Sequence, residues 1–406
     1  MSFVDVTIDE ITDVVTKGTT PTTYGMPFTD DGVNFVKAEA LNGDVRLDRS
    51  GFTFVSEETH EKLKRSQLHK DDVLITIAGA NVGKCGFVKE SDLPANTNQA
   101  VGIVRVNQKQ AWPRFVYYHF KNPATFAISQ NMSGQAAQPN INLTVLKGFK
   151  LQLPDYDVQK KIAEKLTAYD DLIENNRRRI QLLEESARLL YKEWFVQLRF
   201  PGHEHVKIVD GVPEGWNKRF FSEVIEVNPR TPVEKGTEIK YVPMSSLSES
   251  GMTVNESNFE LRSKHTSVKF VRNDVLLARI TPSLENGKTG FVYFLDDNEI
   301  ACGSTEFIVL RGKEVSPIYT YCLCRSYPLR EKAIKSMIGS SGRQRVQVSC
   351  FDKFVVAAPP QYLMQQFDEA VEGLFEQIKV LMQQNQRLSQ ARDLLLPRLM
   401  NGTLTV

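Results

Sequence analysis

Along two stretches of the chain the hydrophobic positions recur alternately every four and three residues. In the first, Ile162, Leu166, Tyr169, Ile173, Asn176, Ile180, Leu183, Ala187, Leu190 and Trp194 keep that spacing. In the second, Phe367, Val371, Leu374, Ile378, Leu381, Asn385, Leu388, Arg392, Leu395 and Leu399 repeat it, each 205 positions further on. A sustained a/d seam predicts a coiled coil and not merely an amphipathic surface helix. Asn176, Asn385 and Arg392 are polar seam residues of the kind that fix register at some cost in stability. No proline interrupts either stretch before Pro397.

Ahead of each seam the pattern changes to short apolar strands broken by polar turns, and it too occurs twice. "DDVLITIAGANVGKCGFV" at Asp71 to Val88 returns as "NDVLLARITPSLENGKTGFV" at Asn273 to Val292. Each copy is preceded by a short amphipathic segment running into a Thr/Pro loop, Ile8 to Thr22 and Phe221 to Val233. Each is followed by a small polar loop and an alternating strand ending at proline, Asn131 to Pro154 and Met337 to Pro360. A repeat of this length sets the architecture. The expectation is an α/β (α+β) fold: one α/β domain over residues 1–154, a spacer helix over 155–199, a second domain over 200–360 with a linker at 200–211, and a second spacer helix with the tail over 361–406. If the seams pair with each other, the order domain, helix, domain, helix makes the coiled coil antiparallel, with an internal pseudo-two-fold. A seam of some 33 residues is about 50 Å long at 1.5 Å per residue. Such a rod would hold its two domains over DNA segments about one turn or a little more apart.

The chain of 406 residues is too long for one ordinary core. Its five cysteines, Cys85, Cys302, Cys322, Cys324 and Cys350, contain no CxxC and do not resemble a disulfide framework. With no signal peptide and no apolar run long enough for a membrane span, a cytoplasmic location is expected. Net charge is +1, from 50 Lys+Arg against 49 Asp+Glu. Residues 1–154 hold 16 of each sign, whereas residues 206–360 hold 21 basic and 18 acidic side chains. If DNA binds, it binds in local basic grooves and not to a basic body.

The first hairpin, "GANVGKC" at Gly79 to Cys85, invites comparison with a nucleotide phosphate loop. That loop requires G-x-x-x-x-G-K-[ST]. Here three residues separate the glycines, and Cys85 stands where a Mg²⁺ ligand is needed. The second copy has Thr289 but lacks the first glycine. What repeats is a hairpin tip. His203 and His205 lie in a Pro/Gly-flanked linker without ligands at zinc spacing. "CLC" at Cys322 to Cys324 and the aromatic run Trp112 to Phe120 read as core helices, with base stacking the alternative for the aromatics.

The arrangement resembles the specificity subunit of a type I restriction-modification system over essentially the whole chain. The motifs are Ala137 to Thr144; a proline followed five residues later by Gln, Pro154 and Gln159 (as Leu-Pro) and Pro360 and Gln365; "GVPEGW" at Gly211 to Trp216; and "LLLPRLMNGTL" at Leu394 to Leu404. The first domain lacks the Pro-Glu-Gly-Trp entry of the second. The resemblance implies a non-catalytic subunit that reads a bipartite, asymmetric double-stranded DNA target, one half per domain. It also implies two methyltransferase (modification) subunits that carry S-adenosylmethionine and restriction subunits that translocate DNA with ATP, so no cofactor is expected on this chain. No [ND]-P-P-[YF] methylase motif occurs. A coiled-coil scaffold whose repeated modules bind protein is the alternative.

Base edges are read by Arg, Lys, Asn and Gln, and phosphates are held by Lys, Ser, Thr and amides. The first domain offers Lys17, Thr19, Thr20, Asn81, Lys84, Asn96, Asn98, Gln135, Gln138, Asn140 and Asn142. The second offers Arg230, Arg279, Lys288, Arg343, Gln344 and Arg345, which would make the first half-target lean on adenine and the second on guanine. Capping of backbone groups is the competing role for Asn140 and its neighbours, and a surface charge run for the arginines. Arg177, Arg178 and Arg179 at mid-rod are expected to form helix ion pairs with Glu174 and Glu184, with tracking of a spacer phosphate the alternative. Modification subunits are expected near the helix ends, beside each domain.

Overall fold

The computed structural model describes residues 3–79, 81–132, 140–264, 266–340 and 342–406, with the side chains of 131 and 132 excepted. The chain forms two compact units, residues 1–175 with 384–406, and residues 176–383. Each holds one α/β domain and part of both long helices, Tyr156–Tyr191 and Gln361–Met400.

The first domain is built on an antiparallel four-stranded sheet, in the order Thr12–Lys17, Val101–Val106, Val73–Thr76 and Cys85–Phe87. A three-stranded sheet, in which Val33–Val36 pairs parallel with Ala95–Thr97, lies in the same domain. The second domain repeats the first sheet with Ile225–Val227, Phe307–Gly312, Val275–Ala278 and Thr289–Phe291. The repeat extends to the backbone: Asp71 and Asn273, which open the two central strands, both adopt a left-handed φ, 67° and 70°. The next residue in each is a buried aspartate. Asp72 takes both arms of the Arg105 guanidinium at 2.8 Å, and Asp274 takes those of Arg311 at 2.7 Å. Each carboxylate also accepts a backbone N–H three residues upstream, His69 and Val271.

The aromatic runs are core helices, Pro113–Lys121 and Pro317–Arg325, with Phe115, Tyr117, Tyr118, Tyr319 and Tyr321 fully or almost fully buried. No ring of these five is available for base stacking. Burial pushes the His119 pKa down to about 4, and its Nε2 has no hydrogen-bond partner. The unfolded chain therefore takes up the proton first, near 6.5. The stability that a neutral His119 allows is complete above that pH and is lost progressively as pH falls towards 4, by about 3 kcal/mol at most. His119→Phe is expected to flatten that part of a urea-denaturation pH profile. An unchanged slope between pH 6.5 and 4 would refute the assignment.

All twenty seam positions are buried or half-buried. Within the first unit the helices pair antiparallel: Ile162 and Leu166 share a core with Leu396, Leu399 and Met400, and Asp170 meets Arg392. Within the second unit Ile180, Ala187, Tyr191 and Trp194 share a core with Phe367, Val371, Ile378 and Leu381. Trp216 of the "GVPEGW" segment packs on Phe195 and Phe200. The paired motif Gln159 and Gln365 is not equivalent in space. Gln159 is buried, joining Pro154 O to the Trp112 N–H, whereas Gln365 is exposed.

The two carboxylates expected to pair with Arg177, Arg178 and Arg179 both reach across to the domains. Glu174 is bonded to Arg46 of the first domain. Glu184 is buried and accepts from the Tyr321 hydroxyl and from the Met252 N–H at 2.9 Å.

Candidate nucleic-acid interface

Strand register decides where the polar loops meet. In the first domain Lys17 lies opposite Gly102, Thr76 opposite Val101, and Ile75 opposite Cys85. The loops after Lys17, before Val101 and between Thr76 and Cys85 therefore emerge at one end of the sheet. Backbone bonds knit them together: Thr19 N–H to Thr97 O, Ile77 N–H to Ala100 O, and Ile141 N–H to Ile77 O. Gly18 permits the first, since a Cβ there would stand 2.2 Å from Thr97 O. Lys17, Thr19, Thr20, Asn81, Lys84, Asn98 and Asn140 all gather at this end. Lys17 and Asn140 are exposed, and the other five are half-buried.

The hairpin tip is not a phosphate cradle. Three of its amides are spent internally: Val82 N–H on Gly79 O, Gly83 N–H on Thr76 O, and Lys84 N–H on Asn81 O. The Lys84 ammonium has no partner among the described residues and is left to a phosphate or to water. Asn96 must be withdrawn as a base reader. It is fully buried and bonded to His60 Nδ1 at 2.5 Å, Leu63 O and Ser66 Oγ. Asn142 caps the helix Leu143–Lys147 through the Val145 N–H, as the capping alternative required. Gln135 and Gln138 lie outside the described residues.

The second domain gathers its candidates at the equivalent end of its sheet. Val227 lies opposite Leu310, Ala278 opposite Phe307, and Leu277 opposite both Ile308 and Thr289. The backbone pattern repeats that of the first domain: Arg279 N–H to Glu306 O and Val346 N–H to Arg279 O correspond to the bonds of Ile77. Ile280 bridges Arg345 as Ala78 bridges Asn140. Arg345 therefore stands in the place of Asn140, and Glu306 in that of Ala100. Arg230 and Arg343 are exposed, without side-chain partners among the described residues. Arg279 is half-buried and its Nε has no partner. The Gln344 N–H is held by Thr281 Oγ1 at 3.0 Å, leaving its amide side chain free among the described residues. Lys288 donates at 3.4 Å to Met244 O, a long contact that leaves its ammonium open to another acceptor.

Arg345 is the exception among the arginines. Its Nε and Nη2 clasp the Glu306 carboxylate at 2.7–3.0 Å, so it is not part of a loose charge run. Sequence reasoning did not single out Glu306, and no spacing rule links residues this far apart in a loop. From beneath, Arg325 and Arg330 hold the hairpin by its carbonyls, Gly287 O for Arg325 and Leu284 O and Glu285 O for Arg330. The tip is thus a braced loop.

Burial pushes the Cys85 thiol up to about 12 and raises those of Cys322 and Cys324 further, so none of the three is a thiolate near neutrality. Among the described residues no cluster of His, Cys, Asp and Glu could hold a metal ion, and no helix is long and apolar enough to cross a membrane.

Residues 2–185 match the family model of the type I restriction modification DNA specificity domain. The chain is 26% identical over 334 residues to the type I restriction enzyme MjaIX specificity subunit of Methanocaldococcus jannaschii, covering 79% of this chain and 76% of that protein. It is 24% identical over 411 residues to the HindI specificity subunit of Haemophilus influenzae, covering 84% and 88%. The crystal structure of a type I restriction-modification S subunit from M. genitalium shares the fold, with a TM-score of 0.53 at 14% identity over 98% of this chain and 96% of that one. The domain match, these relatives and the duplicated domain-and-helix fold agree: the chain is similar to the type I restriction-modification specificity subunits, and residues 2–185 carry their DNA specificity domain.

Proposed function

We propose that the protein is the non-catalytic DNA reader of its system, each domain recognising one half of a bipartite, asymmetric duplex target through the loop end of its four-stranded sheet. The observation that carries this is the convergence of basic and amide side chains on the same end of two equivalent sheets, with different residues at matching places. Asn140 stands in one domain where Arg345 stands in the other. Amides suit adenine and guanidinium suits guanine, so one scaffold reads two unlike half-sites. The paired helices set the separation of the halves and the register between them. Two modification subunits, supplying S-adenosylmethionine, and restriction subunits, supplying ATP-driven translocation, complete the complex. This chain itself holds neither cofactor.

Selection of bound molecules from a pool of randomised duplexes by the full chain tests the reading. Two short blocks of defined sequence, separated by a fixed unread gap, are expected. A scaffold that binds protein would return no sequence.

Arg343→Ala is expected to cost about 1–3 kcal/mol on the selected target and to relax preference in one block only. Equal weakening on all sequences, measured by competition titration, would make Arg343 a phosphate contact.

A further inference from the structure

We infer that Glu306 is a specificity-positioning residue of the second domain: its carboxylate fixes the Arg345 guanidinium so that its free end presents a rigid fork to a guanine. This rests on the DNA-reading function proposed above and adds to it a carboxylate that no basic-patch argument would select.

The geometry carries the inference. Glu306 and Arg345 both leave backbone that is pinned on two sides. Glu306 O accepts from the Arg279 N–H and the Glu306 N–H donates to Ser304 Oγ at 3.2 Å, while Arg345 exchanges backbone bonds with Ile338 at 3.0 and 2.9 Å. Neither Cα can drift to suit a passing phosphate. Glu306 then takes Nε and Nη2 of Arg345, at 3.0 Å to each oxygen for Nε and 2.7 Å for Nη2. A guanidinium has five donors, so both Nη1 hydrogens and one on Nη2 remain. These form the outer fork that pairs with guanine O6 and N7. The Arg345 side chain keeps 44% of its exposure and that of Glu306 only 22%, so the arginine is the more accessible member of the pair.

Electrostatics points the same way. An isolated carboxylate on a DNA-binding surface repels phosphate, and an unpaired arginine grips any phosphate within reach. Paired, the two are close to neutral. They contribute little sequence-independent attraction and leave directional hydrogen bonds as the main product. The first domain has Ala100 and Asn140 at these places, an amide that needs no such restraint. The device is confined to one half-site.

The test uses the full chain and the randomised-duplex selection. Wild type is expected to select guanine at one position of one block. Glu306→Ala should reduce that preference by about tenfold or more, with all other positions unchanged and affinity for an unrelated duplex equal or tighter. Arg345→Lys, which cannot form a fork, should give the same single-position loss. Glu306→Gln keeps the shape and one acceptor, and should fall between wild type and alanine; should the alanine variant fail to fold in a thermal melt, this variant decides. Wild-type guanine preference in the decisive variant, or equal weakening on every sequence, overturns the role of Glu306. A wild-type protein that selects no sequence overturns the DNA-reading function instead.

Discussion

Replacing either Asp170 or Arg392 by alanine is expected to destabilise the first unit by about 3–5 kcal/mol, read as a lowered urea midpoint. The two residues are 4% and 7% exposed and their side chains meet at 2.6 Å in the helix seam. Asp170 also accepts from the Tyr118 hydroxyl at 2.7 Å and lies 3.7 Å from the Lys121 ammonium. Arg392 has a second carboxylate, Asp393, at 2.8 Å. Removing one partner strands a buried charge, and that desolvation penalty is the bulk of the loss. The internal repeat supplies the control. At the equivalent register, 205 residues along, the second unit has Phe375 in place of Asp170 and Ala187 in place of Arg392. Phe375 packs on Phe291 at 5.5 Å and on Tyr321 at 6.3 Å. The combined variant Asp170→Phe, Arg392→Ala, Tyr118→Phe and Lys121→Met carries that apolar solution across without stranding the Lys121 ammonium, and should recover most of the lost stability. A combined variant as weak as the singles would mean that the buried pair itself, and not its breakage, holds the seam.

Phe367→Ala is expected to cost about 3–5 kcal/mol, the usual range for a fully buried ring. Phe367 is 0% exposed and sits among Tyr191, Trp194 and Phe195, with ring centroids 6.4, 5.9 and 4.9 Å away. The cavity cannot collapse easily, because each of those rings has neighbours of its own: Tyr319 for Tyr191 and Phe195, and Trp216 for Phe195. On the same helix Tyr362 is 58% exposed, and Tyr362→Ala should stay within about 0.5 kcal/mol. Similar losses for the two variants in calorimetry would contradict this packing.

The seams were legible because a 3.5-residue period is a local signal repeated twenty times, and every one of those positions is at least half-buried. The repeat was legible because Asp-Val-Leu and Gly-Phe-Val flank a hairpin in both copies. What the sequence hid is side-chain pairing across long separations. Glu184 looked like a helix surface residue until the fold brought Met252 and Tyr321 to it. Asn96 looked like a polar loop residue, yet it lies in a strand and ties down the segment around Leu63 and Ser66. Arg345 looked like part of a charge run, and its partner Glu306 comes from the loop before another strand. The end of the sheet at which candidates gather follows from strand register, which a single sequence leaves open.

The central claim is that two DNA readers are held at a separation set by the paired helices. One heptad inserted into each long helix, matched so that the seam stays in register, lengthens the pair by about 10 Å. At about 3.4 Å per base pair that is roughly three base pairs of duplex. Affinity measured on duplexes whose selected half-sites are moved apart one base pair at a time should show a sharp optimum for the native chain and one shifted by about three base pairs for the lengthened chain. An optimum that does not move, or no optimum at all, would contradict the account.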